Sequence, residues 1–136
     1  MKILDTTVLI DLDRNSEAHS DSVDALQEES DLHISSVTIF ELWWGVYLTA
    51  LKKKKKSNYF AEFSEFISPF IIVDIDTTIA IEASTIGVDL QLVGKTIDLH
   101  DLYIAATAKN LDTALVTSNV KHFENIANLK IVEWPI

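Results

Sequence analysis

Short apolar runs alternate along the chain with longer segments in which apolar residues recur three and four positions apart. The short runs are typical of strands and the longer segments of amphipathic helices. The predicted strands are KILD at 2–5, LHIS at 32–35, FIIVDI at 70–75, TALVTSN at 113–119 and LKIVEW at 129–134. The predicted helices cover 6–14, 17–30, 37–54, 57–67, 77–92 and 97–110.

This alternation predicts an α/β fold. Strands that alternate with helices form a parallel sheet covered on both faces, and buried parallel strands carry unbroken apolar runs. We therefore predict a three-layer α/β/α domain with a central parallel sheet of four or five short strands. The 136 residues are enough for one sizeable core, and no linker, repeat or low-complexity tract interrupts them, so we expect one domain over 1–136.

Composition narrows the classes of function. A formal net charge of −10 argues against a protein that coats nucleic acid through a cationic surface. The absence of cysteine excludes disulfides and thiol chemistry. No apolar run approaches the roughly 20 residues that span a bilayer. These features favour a cytoplasmic protein without membrane segments.

Polar side chains follow three of the predicted strands. Asp5 follows the first strand, Ser35 closes the second, and Thr117 and Asn119 close the fourth. The carboxyl ends of parallel strands meet at one edge of a sheet, where ligands bind in folds of this class. Asp101, in the first turn of a strongly apolar helix, belongs to the same predicted edge.

Glu41 is the single charge in the segment SSVTIFELWWGV, residues 35–46. It borders an apolar stripe at helical spacing that we predict to pack on the sheet, formed by Val37, Phe40, Trp44, Leu48 and Leu51. A carboxylate in apolar surroundings is costly unless it is paired. We expect its partner to be a metal ion, with a lysine or solvent at the edge of the stripe as the alternative.

The other polar residues also have simple structural interpretations. Asp5 has the position of an N-cap for the helix after the first strand. Asp98 and Asp101 have the spacing of a capping box, which predicts that Asp98 caps its helix. Asn119 is compatible with an Asx turn.

A divalent metal would relieve the repulsion among several carboxylates at one edge. Mg²⁺ and Mn²⁺ prefer oxygen ligands, and Mg²⁺ keeps several of its waters. A metal-bound water is a better nucleophile, and the metal stabilises charge on a phosphoryl oxygen. The four histidines show no paired ligand spacing of the kind that zinc sites use.

Four segments resemble those of PIN domains, in particular the VapC-type toxins of toxin–antitoxin pairs. They are ILDTTVLIDL at 3–12, SSVTIFELWWGV at 35–46, IDLHDLYIAATAKN at 97–110 and ALVTSNVKHF at 114–123. They occur in the right order and span nearly the whole chain. The resemblance implies a PIN fold and a Mg²⁺- or Mn²⁺-dependent endoribonuclease.

The resemblance also assigns roles to individual residues. The three acids that match the metal-holding positions of the family are Asp5, Glu41 and Asp101. Asn119 matches a fourth catalytic position that is aspartate in many PIN domains, and the amide weakens the case for a tightly held second metal. Thr6 and Thr117 match residues beside the acids, which implies that they orient the substrate. Asp98 is an extra acid to which the resemblance assigns no role.

The implied partners are an RNA substrate, a VapB-type antitoxin whose tail enters the acidic site, and a second copy in a homodimer. Two alternatives stay open, a non-catalytic PIN-fold RNA-binding module and a phospho-accepting receiver domain. The receiver alternative is weaker, because it needs an acidic pair directly after the first strand and a lysine after the fifth. Here Asp5 stands alone, and only Pro135 and Ile136 follow the last strand.

Three further features are ambiguous from sequence. The run Lys52–Lys56 at a helix end is typical of a solvated face, with an RNA-backbone contact as the alternative. Trp43 and Tyr47 are one helical turn apart and could pack under the helix at 57–67 or form an interface. His100 and His122 border the predicted site and are interpreted as surface residues.

Overall fold

A five-stranded, fully parallel sheet organises the computed structural model, which describes residues 1–15, 20–28, 31–54 and 58–135. The strand order is β3-β2-β1-β4-β5. The strands are β1 Lys2–Leu4, β2 Leu32–Ser35, β3 Ile71–Val73, β4 Ala114–Thr117 and β5 Ile131–Glu133. The predicted α/β fold with a parallel central sheet is confirmed.

The helices lie between the strands, as the periodicity predicts. They are α1 Thr6–Asn15, α2 Ser20–Glu28, α3 Ser36–Lys53, α4 Tyr59–Ile67, α5 Thr77–Leu92, α6 Leu99–Asn110 and α7 Val120–Phe123. The short α7 is absent from the sequence prediction because four residues are too few to show a helical period. The predicted helical residues 17–19, 29–30 and 57 lie outside the described residues.

The strand register places the functional edge. Ile3 pairs with His33 of β2, and Leu4 pairs with Val116 of β4. The N–H of Asp5 then donates to the carbonyl of Val116 at 2.9 Å. Asp5 and the residues after Val116 therefore leave the sheet side by side, at the carboxyl edge that the sequence predicts.

Two apolar clusters occupy the two faces of the sheet. Successive strand residues point to opposite faces, so Ile3 and Leu4 belong to different clusters. Buried members of the first include Ile3, Ile79, Ile86, Ile104, Leu115 and Phe123. Buried members of the second include Leu4, Val8, Leu9, Ile34, Val116 and Trp134. Helices α5 and α6 cover one face and α1 covers the other, which gives the three layers.

The buried face of α3 is not the one that the sequence predicts. Of the predicted stripe only Val37 is buried, while Trp44 is 64% exposed and Phe40, Leu48 and Leu51 are also exposed. Because α3 is apolar on most of its circumference, its periodicity does not determine which stripe meets the sheet. The buried face runs through Val37 and Thr38.

Trp43 packs between helices, as one of its two interpretations predicts. Its ring centroid lies 5.7 Å from that of Phe60 and 5.4 Å from that of Phe63, both on α4. Tyr47 stacks on Trp43 at 5.9 Å and keeps about half of its surface exposed. Trp43 therefore joins α3 to α4, while Tyr47 stacks on Trp43 within α3.

The end of α3 is cationic and exposed. Lys52 and Lys53 occupy its last turn, Lys54 follows in the left-handed conformation, and Lys55 and Lys56 lie outside the described residues. The exposure fits the interpretation as a solvated face. Among the described helices, including the 18 residues of α3, none is long and apolar enough to cross a membrane.

Two glycines predict opposite effects on stability. Gly45 lies inside α3, and no atom comes within 4 Å of the position that a Cβ would occupy, so Gly45→Ala should raise the free energy of unfolding by about 0.5–1 kcal/mol. Gly94 has φ +74°, so Gly94→Ala should lower it by about 1 kcal/mol. Urea denaturation measures both, and shifts of the same sign would contradict the backbone assignment.

Candidate functional site

Asp5 is a buried carboxylate held by three hydrogen bonds. It is 3% exposed. The backbone N–H of Thr6 donates to Oδ1 at 2.8 Å. The hydroxyls of Thr7 and Thr117 donate to Oδ2 at 2.9 and 2.7 Å. Asp5 thus accepts from the first N–H of α1 rather than from the second or third N–H that an N-cap side chain uses, and its second oxygen is fixed by hydroxyls from both ends of the chain.

Glu41 is paired with a hydroxyl and an imidazole. Thr6 Oγ1 lies 2.9 Å from Glu41 Oε1, and His100 Nδ1 lies 3.4 Å from Oε2. Thr6 Oγ1 is also 3.0 Å from Thr38 Oγ1, which is fully buried. A row of two threonines thus connects the interior of α3 to the Glu41 carboxylate. The contacts of Glu41 in the described structure are these groups rather than a lysine.

Asp101 lies in the first turn of α6, with its Oδ2 3.0 Å from His122 Nδ1. Burial raises the pKa of the Asp101 carboxyl above its ordinary value, and the negative charge of Asp5 raises that pKa further. His122 lowers the pKa and Asp98 raises it. The negative charge of Asp5 therefore opposes ionisation of Asp101.

Asp98 does not cap α6 through its side chain, which corrects the predicted capping box. Its backbone has the extended N-cap conformation, with φ −65° and ψ 148°, and its carbonyl accepts the N–H of Leu102 at 3.0 Å. Its carboxylate makes no capping hydrogen bond. The other half of the predicted box is lost because the Asp101 carboxylate faces His122 instead.

Thr117 and Asn119 continue the site at the end of β4. The Thr117 hydroxyl is fully buried, and its oxygen accepts the Asn119 N–H at 2.9 Å while it donates to Asp5. Asn119 precedes α7 and makes no side-chain capping bond. The backbone N–H of Asn119 is therefore linked to Asp5 through the Thr117 hydroxyl.

The histidines at 100 and 122 are exposed, as the sequence interpretation predicts, but both also lie against the predicted acids. Each contacts one of the predicted acids, His100 on Glu41 and His122 on Asp101. Single histidines carry no ligand spacing, and only their nearness in sequence to Asp101 and Asn119 could have indicated this role.

The acids are not already gathered around one point. Within the described ranges, no group of three or more His, Cys, Asp and Glu side chains is arranged to hold a metal ion. Glu41 reaches Asp5 only through Thr6, and Asp101 interacts with Asp5 through its charge. The assignment of Asp5, Glu41 and Asp101 as metal ligands therefore stays a prediction.

A family profile described as "PIN domain" matches residues 2–129. The chain belongs to the PIN-domain family. One relative of this PIN domain is named tRNA(fMet)-specific endonuclease VapC, from Salmonella typhimurium. It is 31% identical over 137 residues, which cover 97% of this chain and 96% of that protein. Another is named Ribonuclease VapC2, from Rickettsia felis, 28% identical over 133 residues that cover 97% and 96% of the two chains.

Solved structures resemble this PIN domain over nearly its full length. VapBC2 from Rickettsia felis, bound to a DNA fragment from its promoter, has a TM-score of 0.84 at 27% identity, with 98% of each chain covered. DNA-bound VapBC from Salmonella typhimurium has a TM-score of 0.81 at 30% identity, again with 98% of each chain covered. The sequence resemblance to PIN domains is confirmed.

The repulsion at Asp101 predicts a gain in stability from its removal. In metal-free buffer with EDTA at neutral pH, Asp101→Asn should raise the melting temperature by about 2 °C, because a partly buried charge facing Asp5 is lost. The raised pKa means that the folded state holds the Asp101 proton more tightly than the unfolded state. The penalty is therefore present above the pKa of the folded state, and it vanishes in acid, where both states are protonated.

Thermal unfolding of Asp101→Asn and the parent across a pH series measures this effect. Asp112→Asn is the matched control, because the Asp112 side chain is 90% exposed and its contact in the described part of the chain is with Lys130 at 3.3 Å. Equal melting temperatures of the two proteins at neutral pH, or a difference that does not shrink in acid, would contradict the repulsion between Asp5 and Asp101.

Proposed function

We propose that this PIN domain is a Mg²⁺- or Mn²⁺-dependent endoribonuclease that hydrolyses phosphodiester bonds of RNA as the toxin of a VapBC-type pair. The observation that carries the proposal is the buried Asp5 carboxylate at the carboxyl edge of the sheet, held there by the hydroxyls of Thr7 and Thr117. Burial and the charge of Asp5 both raise the pKa of Asp101. Relatives named as VapC ribonucleases, matched over almost their whole length, support the same reaction.

The donor set fits a hard divalent cation. Asp5, Glu41 and Asp101 offer carboxylate oxygens, and Asn119, whose backbone N–H is linked to Asp5 through Thr117, carries an amide oxygen. Oxygen donors suit Mg²⁺ and Mn²⁺, and Mg²⁺ retains waters that can fill the space between carboxylates that do not touch. A cation would also remove the repulsion that now raises the pKa of Asp101.

In the proposed reaction, Asp5, Glu41 and Asp101 hold the ion directly or through water. When bound, the ion lowers the pKa of a coordinated water and offsets charge on the scissile phosphate. The protein contributes fixed positions for the carboxylates. Thr7 and Thr117 prevent Asp5 from rotating, and Thr6 does the same for Glu41. The proposed substrate-orienting role of Thr6 and Thr117 then acts through the acids they hold.

Each of the two histidines contacts one oxygen of a site carboxylate. His100 contacts Glu41 and His122 contacts Asp101. Hydrogen bonds from neighbouring groups orient metal-binding carboxylates and are needed for tight metal binding in many sites. We assign both histidines as positioning residues for the acids rather than as ligands.

An antitoxin is part of the proposal. A groove of about 410 Å³ between α1, α3 and α4 is lined mainly by apolar side chains, including Leu9, Leu42, Phe63 and Phe66, with Glu41 and the charged Asp13, Arg14 and Glu62 also in its lining. Such a lining suits the apolar face of a protein segment. We propose that a VapB-type antitoxin covers it and blocks the acids, that the toxin forms a homodimer, and that RNA as substrate places the activity in the cytoplasm.

Cleavage of total RNA tests the proposed function. The wild-type protein should cut RNA in Mg²⁺ or Mn²⁺ and stop cutting in EDTA, with activity restored by excess Mg²⁺. Asp5→Asn should lower the rate by at least about 100-fold, since it removes a ligand charge at the centre of the site. RNA binding without cleavage in Mg²⁺ would instead support the non-catalytic PIN module, and wild-type rates from Asp5→Asn would refute the mechanism.

Thr117 provides a test of the positioning role. Thr117→Val keeps the buried shape but removes the 2.7 Å hydrogen bond to Asp5, and it should lower the cleavage rate about 10-fold. Thr117→Ser should restore most of the rate, because the hydroxyl returns. The Mg²⁺ concentration for half-maximal rate should rise in Thr117→Val and recover in Thr117→Ser. Equal rates and Mg²⁺ dependence in all three proteins would show that the hydroxyl is dispensable.

A further inference from the structure

A second pocket adjoins the acids on the side of α7. It has a volume of about 260 Å³ and lies between the loop that joins α5 to α6 and the first residues after β4. Its lining includes Lys95, Thr96, Asp98, Asp101, Lys121 and Asn125. Because Asp101 and His122 line it as well, the pocket is continuous with the proposed catalytic edge.

Its two lysines are free, in contrast to others of the chain. In the part of the chain that the structure describes, neither Lys95 nor Lys121 has a carboxylate within salt-bridge distance. Lys109 pairs with Glu82 at 3.5 Å and Lys130 with Asp112 at 3.3 Å. Two available ammonium groups therefore flank the acidic edge of a protein whose net charge is −10.

The backbone fixes both lysines. Helix α5 ends in a Schellman motif, in which the N–H of Lys95 donates to the carbonyl of Leu90 and the N–H of Gly94 to that of Gln91. Gly94 takes the left-handed conformation that this ending needs, with φ +74°. Lys121 lies in α7, which follows β4 after Ser118 and Asn119. The backbone positions of the two lysines are thus set by an ordered helix end and by a short helix.

We propose that this pocket binds an RNA backbone phosphate next to the scissile linkage, with Lys95 and Lys121 as its cationic contacts. This inference rests on the proposed ribonuclease function. Ammonium groups bind phosphates as compact charges, and Thr96 and Asn125 can add neutral donors to phosphate or sugar oxygens. Asp98 and Asp101 oppose an anion in the same pocket, so the lysines decide whether a phosphate is accepted.

The pocket suits RNA better than a protein tail. It is lined by charged and hydrogen-bonding side chains and contains the free lysines, whereas the groove between α1, α3 and α4 has the mainly apolar lining expected for a protein partner. A strand with its scissile phosphate at the acids carries further phosphates at regular spacing. A neighbouring phosphate is therefore available to a cationic pocket that shares Asp101 with the site.

Salt-dependent RNA binding tests the assignment. The full-length Asp5→Asn protein is titrated with a fluorescein-labelled single-stranded RNA of about 12 nucleotides that the wild type cleaves in Mg²⁺. Lys95→Ala/Lys121→Ala in this background should weaken binding about 10-fold near 0.1 M KCl. It should also reduce the slope of log K against log salt by about 0.7 for each lysine removed. Lys95→Arg/Lys121→Arg should bind like the parent.

A charge-matched control separates the pocket from general electrostatics. Lys109→Ala/Lys130→Ala removes the same number of charges away from the pocket and should leave the slope within error of the parent. In the cleavage-competent protein, the Lys95/Lys121 double variant should raise KM by a similar factor and change kcat little, because the chemistry at the acids is untouched.

The outcomes are distinguishable. A wild-type protein that cuts no RNA in Mg²⁺ would overturn the proposed function and this inference with it. A wild-type protein that cuts RNA, while the Lys95/Lys121 variant keeps the parent's slope and KM or behaves like the control pair, would overturn the pocket assignment alone. Loss of binding to a VapB-type antitoxin without any change for RNA would do the same.

Discussion

The buried carboxylate of Asp5 is the constraint on which the site depends. A carboxylate out of contact with water is tolerable only if donors surround it, and here the donors come from Thr6, Thr7 and Thr117. Thr117 is 112 residues away in sequence, so the hydrogen bond forms only when β4 lies beside β1. The hydrogen bond between Thr117 and Asp5 therefore requires the observed register of β1 and β4.

Trp134, which follows β5, also links β4 to α1. The N–H of Trp134 donates to the carbonyl of Thr117 at 2.8 Å, and its indole N–H donates to Asp11 on α1 at 2.7 Å. Both Trp134 and Asp11 are buried. Trp134 is therefore held between the strand that carries Thr117 and the helix that follows Asp5.

Features that depend on local sequence pattern, such as the ends of strands, are predicted correctly. The prediction fails where several faces of a helix are equally apolar and tertiary packing determines which one is buried. Strand exits place Asp5 and Thr117 at one edge because parallel strands share a direction. The prediction for Phe40 and Trp44 is wrong because α3 is apolar on several faces, and only contact with α4 selects Trp43 for packing. The capping box at Asp98 and Asp101 is likewise not formed, because the Asp101 carboxylate that would complete it contacts His122 instead.

The arrangement around the acids also explains how a protein of net charge −10 could act on RNA at all. At physiological salt the repulsion of a polyanion is screened within roughly 8 Å, so a few local charges decide where a strand can approach. A net negative charge repels the phosphates of RNA. A cation bound at Asp5 and Asp101, together with Lys95 and Lys121, would make the electrostatic potential positive beside the acids. Repulsion from the rest of the surface then favours binding at the site, because an RNA strand bound elsewhere meets no cation to offset that repulsion. An acidic surface and a nuclease site are in this sense compatible, provided that the attractive charges are confined to the edge where the chemistry occurs.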